Sequence, residues 1–62
     1  MIKRTDLVRH LLRHDCRRVR QGRRHEIWTD PTGELRSPLP RHREIPSTTA
    51  LAICRQLGVP LL

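Results

Sequence analysis

A histidine surrounded by arginines is the part of this sequence with the clearest chemical capacity. The run from Gly22 to Trp28 reads GRRHEIW, which places His25 just after a predicted turn, at the start of a predicted β-strand. Imidazole has an unperturbed pKa near 6.5 and exchanges protons at cellular pH, while a guanidinium group holds a phosphodiester through paired hydrogen bonds. His25 is therefore predicted to act as an acid or base on a phosphate-bearing substrate. The alternative is a half-buried histidine whose ring bonds a backbone carbonyl.

Arginines on both sides of the turn are the candidate phosphate contacts. We expect Arg20, Arg23 and Arg24 to bind the backbone of a nucleic acid, although a solvated arginine face is the commoner meaning of such a cluster. His42, between two further arginines, is a candidate for the same contact or for a second proton-transfer group. Its alternative is an ordinary histidine in a surface loop.

Metal and disulfide chemistry have weaker support in the sequence. His10 and His14 have the spacing of a helical metal pair, but no third ligand is placed to join them. Cys16 and Cys54 are far apart and neither has a second cysteine nearby, so neither a CxxC site nor a disulfide framework is available. We expect no metal site, no cofactor and two small buried thiols.

Charge and length narrow the class of protein. Sixty-two residues allow one domain, and a domain of this size buries only about 60% of the surface that its unfolded chain exposes. The chain has 13 basic and 6 acidic residues, a net charge of +7, and every basic residue except Lys3 is arginine. This balance predicts a polyanionic partner such as RNA, although high-GC codon usage also enriches arginine.

The location of the protein follows from its hydropathy pattern. No stretch reaches the roughly 18 apolar residues of a membrane-spanning helix. The first six residues, MIKRTD, lead into a polar helix instead of the apolar core of a signal peptide. We therefore expect a cytoplasmic protein that does not bind membranes.

Two helices and three strands are predicted around the histidine. Thr5 is a predicted N-cap for a helix over residues 5–14, and Ser47 is the predicted cap of a second helix that ends at Gly58. Between them, residues 16–21 and 25–29 form a predicted β-hairpin around Gly22. A type I turn over residues 30–33 leads to a third strand over residues 34–39, whose prolines place it at a sheet edge.

The order α-β-β-β-α predicts an α+β fold: one three-stranded antiparallel sheet with two helices on one face and the other face free. In the second strand His25, Ile27 and Thr29 alternate with Arg24, Glu26 and Trp28. We expect Ile27 in the core and Trp28 exposed, as a base-stacking platform or a contact for a protein partner. The predicted core contains these residues: Leu7, Leu11, Leu12, Val19, Ile27, Leu35, Leu39, Ile53 and Leu57.

The whole pattern resembles the HicA family, the RNA-cleaving toxins of bacterial HicA-HicB toxin-antitoxin pairs. The residues that carry the resemblance are the first helix, the run VRQG followed by His25, the pair Ile27-Trp28, and the turn from Asp30 to Gly33. The stretch Pro38-Leu39-Pro40 with His42 and Glu44, and the final helix ICRQLG, complete it. The match extends over nearly the whole chain.

The resemblance implies a fold like that of double-stranded RNA-binding domains and a single HicA-like RNA-cleaving domain over residues 1–62. It makes His25 the catalytic residue, here preceded by Arg24 where the family usually has serine. It further implies a complex with an acidic HicB-like antitoxin, for which Trp28 and Arg24 are the candidate contacts. The substrate implied is mRNA.

Three functions remain open at this point. The first is a metal-independent endoribonuclease toxin, in which His25 acts while a ribose 2′-hydroxyl attacks the adjacent phosphorus. The second is a non-catalytic RNA-binding module, in which backbone contacts dominate and His25 is dispensable. The third is a small basic subunit that exists to bind an acidic protein.

Overall fold

The computed structural model describes all 62 residues and contains two helices and five strands. In chain order these are β1 (Ile2–Lys3), α1 (Arg4–Arg13), β2 (Arg17–Gln21), β3 (His25–Thr29), β4 (Arg36–Pro40), β5 (Glu44–Ile45) and α2 (Ser47–Gln56). The predicted order α-β-β-β-α and its α+β class are confirmed. The short pair formed by β1 and β5 was not predicted, because two-residue strands leave no hydrophobic pattern.

The main sheet is antiparallel and has β3 at its centre, in the order β2-β3-β4. Arg18 pairs with Trp28 and Arg20 with Ile27, so a β-bulge at Val19 interrupts the β2–β3 ladder. On the other side of β3, His25 pairs with Pro40 and Ile27 with Pro38. The predicted hairpin around Gly22 and the edge position of the proline-containing strand are therefore confirmed.

A single cluster of ten buried apolar residues joins the helices to one face of this sheet. Its members come from both helices, from β3, β4 and β5, and from the segments that follow the helices: Leu7, Leu11, Cys16, Trp28, Leu39, Ile45, Ala50, Ile53, Cys54 and Leu57. Both cysteines are buried and unpaired, as expected. Burial raises the pKa of both thiols.

The predicted orientation of β3 is wrong. Glu26 and Trp28 face the core, and His25 is exposed. Trp28, only 4% exposed, replaces Ile27 as the core residue because the indole covers far more apolar area than an isoleucine side chain. Ile27 is half-buried on the opposite, free face of the sheet, together with His25.

Three further residues of the predicted core are exposed. Leu12 is 55% exposed on α1, and Val19 is 53% exposed because it is the residue that the bulge leaves unpaired. Leu35 precedes β4 instead of lying within it and is 45% exposed. The remaining five predicted core residues apart from Ile27 are buried: Leu7, Leu11, Leu39, Ile53 and Leu57.

The ends of the elements are shifted slightly from their predicted positions. Helix α1 begins at Arg4, so Thr5 lies in its first turn, and neither helix has a side-chain N-cap hydrogen bond. The predicted turn forms with Gly33 N–H donating to the Asp30 carbonyl at 3.0 Å. A hydrogen bond from Thr32 lowers the pKa of Asp30, outweighing the effect of burial. Each helix has ten residues, and neither has the length and apolar character needed to cross a bilayer.

Candidate functional site

His25 occupies the first position of β3, beside the hairpin turn, with its side chain exposed. Its backbone is fixed, because Gly22 N–H donates to the His25 carbonyl at 2.9 Å and the residue pairs with Pro40 across the sheet. A Cβ atom on Gly22 would lie 3.0 Å from that carbonyl oxygen, a tighter contact than most side chains make, so any larger residue would force the turn to shift by a few tenths of an ångström. The imidazole makes no hydrogen bond and no ion pair within the protein. The backbone of His25 is therefore fixed, while its exposed ring has no partner within the protein and is free to meet a ligand.

This imidazole and four other side chains line a surface depression. Its lining residues come from the hairpin turn, from the start of β3 and from the loop after β4: Arg23, Arg24, His25, Arg41 and His42. The depression has a volume of about 530 Å³ and contains no apolar and no acidic residue. Three arginines beside two histidines make it strongly attractive to anions.

The loop after β4 is held against the hairpin by Arg41. Its backbone N–H donates to the Arg24 carbonyl at 3.1 Å, and its Nη1 donates to the Gly22 carbonyl at 3.0 Å. These two bonds bring His42 to the same depression as His25. Arg41 was not among the predicted site residues. The pairing of Pro40 with His25 determines its position, and the sequence around it gives no sign of that register.

Of the predicted phosphate contacts, Arg23 and Arg24 line the depression and Arg20 does not. Arg20 lies in β2 opposite Ile27 and is exposed. The bulge at Val19 brings Arg20 to the free face of the sheet, the same face as His25. Arg20 therefore extends the basic surface from the depression across the sheet.

On the core side of β3, Glu26 is the centre of a buried polar cluster that the sequence analysis missed. It forms ion pairs with Arg4 and with Arg18, the latter at 3.2 Å, and it accepts a hydrogen bond from Trp28 Nε1 at 3.1 Å. Burial by itself raises the pKa of Glu26, but the Trp28 hydrogen bond and the charges of Arg4 and Arg18 together lower it. Arg4 also donates through Nε to the Pro40 carbonyl at 3.1 Å. The cluster thus ties α1 to the strand position opposite His25.

Trp28 does not have the exposed position predicted for it. Its side chain is packed in the core and its one polar group is bonded to Glu26. A buried indole offers no surface for stacking on a base or for docking an antitoxin. Arg24, the other predicted antitoxin contact, is exposed in the depression.

The other two histidines lie apart from this site. The His10 and His14 rings meet edge to face with their centroids 4.8 Å apart. His10 Nε2 lies 2.6 Å from the Pro60 carbonyl oxygen, which can only accept, so Nε2 carries the proton. No group of three or more His, Cys, Asp or Glu side chains is close enough together to hold a metal ion.

The fold and the site define a class: a small, strongly basic α+β protein with an exposed histidine in an arginine-lined depression. A family model described as "HicA toxin of bacterial toxin-antitoxin" matches residues 4–59. The chain therefore belongs to the HicA toxin family and is the toxin of a toxin-antitoxin pair, whose partner is an antitoxin. No curated protein and no solved structure gives a significant match.

Proposed function

We propose that this toxin is an endoribonuclease that cleaves mRNA without a metal ion, with His25 transferring a proton at the scissile phosphodiester. The observation that carries the proposal is the combination of an exposed imidazole, free of partners within the protein, with a depression lined only by basic and imidazole side chains. Such a site attracts a polyanion and presents it with an imidazole, a side chain that can both accept and donate a proton.

The reaction needs two proton transfers and no cofactor. A base removes the proton of a ribose 2′-hydroxyl, and the oxygen attacks the adjacent phosphorus in line with the bond to the 5′-oxygen. That bond breaks, and an acid protonates the departing 5′-oxygen. The products are a 2′,3′-cyclic phosphate and a 5′-hydroxyl. Each proton-transfer group of this kind contributes about 10²- to 10⁴-fold to the rate.

The residues of the depression divide these tasks. His25 is the base or the acid. Arg23 and Arg24 bind the phosphate, and guanidinium groups there stabilise the negative charge that builds on the phosphorane oxygens. His42, which lines the same depression, binds the RNA and is our candidate for the second proton-transfer group. Arg20 binds the strand where it continues over the free face of the sheet.

A HicB-like antitoxin would silence this site by covering it. Because the toxin carries a net charge of +7, an acidic surface on the antitoxin matches it electrostatically and speeds the encounter. Arg24 is the contact we propose, since its side chain lies at the depression and is exposed. The resulting hetero-oligomer would exclude RNA from His25.

The test is cleavage of a long RNA by purified protein in excess EDTA. We expect the wild type to cut and His25→Ala to lose at least about 100-fold in rate. His14→Ala is the matched control, because it removes an imidazole from a different part of the surface. Circular dichroism establishes that each variant is folded, and analysis of the fragment ends establishes the cyclic phosphate.

The outcomes separate the open functions. Cleavage that depends on His25 and persists in EDTA supports the proposal. RNA binding without cleavage in any variant would make the protein a non-catalytic binding module. If the protein neither binds nor cleaves RNA but binds an acidic partner tightly, it is a basic subunit that does not act on RNA.

A further inference from the structure

A second basic depression lies beside the one that contains His25. It has a volume of about 490 Å³ and is formed where β1, the start of α1 and the loop before β5 meet. All six lining residues are polar or charged: Lys3, Arg4, Thr5, Arg41, Arg43 and Glu44. Arg41 lines both depressions, so the two are neighbours that share one wall.

The charges in this second depression are largely uncompensated. Arg4 forms an ion pair with Glu26, a carboxylate that it shares with Arg18. Lys3, Arg41 and Arg43 form no ion pair, and Glu44 is the one carboxylate among the lining residues. Three cations without an ion-pair partner therefore line this concave surface with a single carboxylate, Glu44, which lies opposite Lys3 in the β1–β5 ladder, and Arg41 is bonded only to a backbone carbonyl. No contact within the protein accounts for the side chains of Lys3 and Arg43, both of which are exposed.

The composition of this surface favours a nucleic acid over a protein as its occupant. Protein interfaces have an apolar centre depleted of charge, and no lining residue here is apolar. Interfaces with nucleic acids are polar and strongly basic, and phosphate contacts supply most of their affinity.

We propose that the depression lined by Lys3, Arg41 and Arg43 binds the phosphate next to the scissile one on a single RNA strand. This inference rests on the proposed cleavage site at His25, because that site sets which phosphate is the neighbour. The strand runs from His25 past Arg41 to the start of α1. The site adds affinity and fixes the direction of the strand, and it takes no part in proton transfer.

The experiment measures binding of a single-stranded, fully 2′-O-methylated oligonucleotide, which has no free 2′-hydroxyl and is not cleaved by this mechanism. The variants are Arg43→Gln and Lys3→Gln, whose side chains make no contact that the fold needs. Arg13→Gln is the matched control, since it removes one positive charge from an exposed residue of α1 that lines neither depression. Affinity is measured by fluorescence anisotropy over a series of salt concentrations.

We expect Arg43→Gln and Lys3→Gln each to weaken binding about three- to tenfold at low salt and to reduce the slope of log K against log salt by about 0.7, the value for one phosphate contact on a single strand. Arg13→Gln should leave the slope unchanged. Equal slopes for Arg43→Gln and Arg13→Gln would overturn the proposal. It would also be overturned if Arg43→Gln and Lys3→Gln bound RNA like the wild type and lost affinity only for an acidic antitoxin. If His25→Ala still cleaves RNA while the slopes change as expected, the cleavage proposal fails; the depression then still binds a phosphate, but the claim that this phosphate neighbours the scissile one is overturned.

Discussion

Replacing Glu26 by Gln is the sharpest test of how this small fold is held together. The carboxylate is buried, and it is shared by Arg4, Arg18 and the Trp28 indole. Glutamine keeps the shape and one acceptor for the indole, but it removes the charge that compensates two arginines. We therefore expect a folded protein with a lower free energy of unfolding.

The size of the loss follows from the exposure of the partners. Breaking a fully buried ion pair costs about 3 to 5 kcal/mol, because one charge stays buried without a partner. Here the Arg4 and Arg18 side chains are 23% and 50% exposed, so water can hydrate both guanidinium groups. We therefore expect the Glu26→Gln substitution to lower the free energy of unfolding by about 2 kcal/mol. For a domain of this size the total stability is about 3 to 9 kcal/mol, and the midpoint of thermal unfolding should fall by about 8 to 16 °C.

The pH dependence gives an independent check. The pKa of Glu26 is lower in the folded protein than the value of about 4.3 in an unfolded chain. Its stabilisation is fully present above that unfolded pKa and is lost as the pH falls through the folded pKa. The difference in the free energy of unfolding between the wild type and Glu26→Gln should therefore shrink as the pH is lowered through the folded-state pKa of Glu26.

Thermal and urea unfolding at several pH values provide the measurement, with Glu34→Gln as a control at an exposed glutamate. The control should change stability by less than about 0.5 kcal/mol. A Glu26→Gln protein as stable as the wild type at neutral pH would refute the reasoning. A stability difference between the two proteins that stays constant as the pH is lowered would refute it as well.

Two further predictions concern the hairpin turn and the thiols. Gly22→Ala should destabilise the protein by about 1 to 3 kcal/mol and slow RNA cleavage, because the added methyl group would lie 3.0 Å from the His25 carbonyl oxygen. Thermal unfolding measures the stability, and initial rates measure the cleavage. An unchanged rate would show that the turn does not position the imidazole. Cys16 and Cys54 should react slowly with a disulfide reagent at neutral pH and rapidly after unfolding, since burial raises the pKa of both thiols and, for Cys16, the carboxylate of Asp30 adds to the effect. Fast labelling of the folded protein would contradict the buried positions of the two cysteines.

Local patterns predicted most of the fold. The turn residues around Gly22 and Gly33, the prolines of β4 and the periodic apolar residues of the helices each act over a few residues, and the elements they predict are present. The orientation of β3 was predicted wrongly, because each of its two alternating sets of side chains contains one large apolar residue, Ile27 or Trp28, and the pattern alone does not choose between them. The larger apolar area of the Trp28 indole and the partners of Glu26 both favour the observed side, and one of those partners, Arg4, is 22 residues away in the sequence.

The candidate site was predictable only where its residues are neighbours in the sequence. Arg23, Arg24 and His25 are contiguous, so a local pattern placed them together. His42 joins them only through strand register and the two hydrogen bonds of Arg41, both of which are properties of the folded sheet. The burial of Trp28 was missed because a lone aromatic on a strand has no spacing pattern to indicate its side.

The prolines of β4 and the bulge of β2 restrict how any other chain can join this protein. Proline has no N–H, so Pro38 and Pro40 occupy the positions of β4 whose backbone points away from β3, and only Arg36 of that set can donate outward. The opposite edge is interrupted at Val19 and carries three arginines. Neither edge is a good template for an added strand, so self-association into extended sheets and partner binding by strand addition are both disfavoured. Recognition of this toxin is left to its surfaces of side chains.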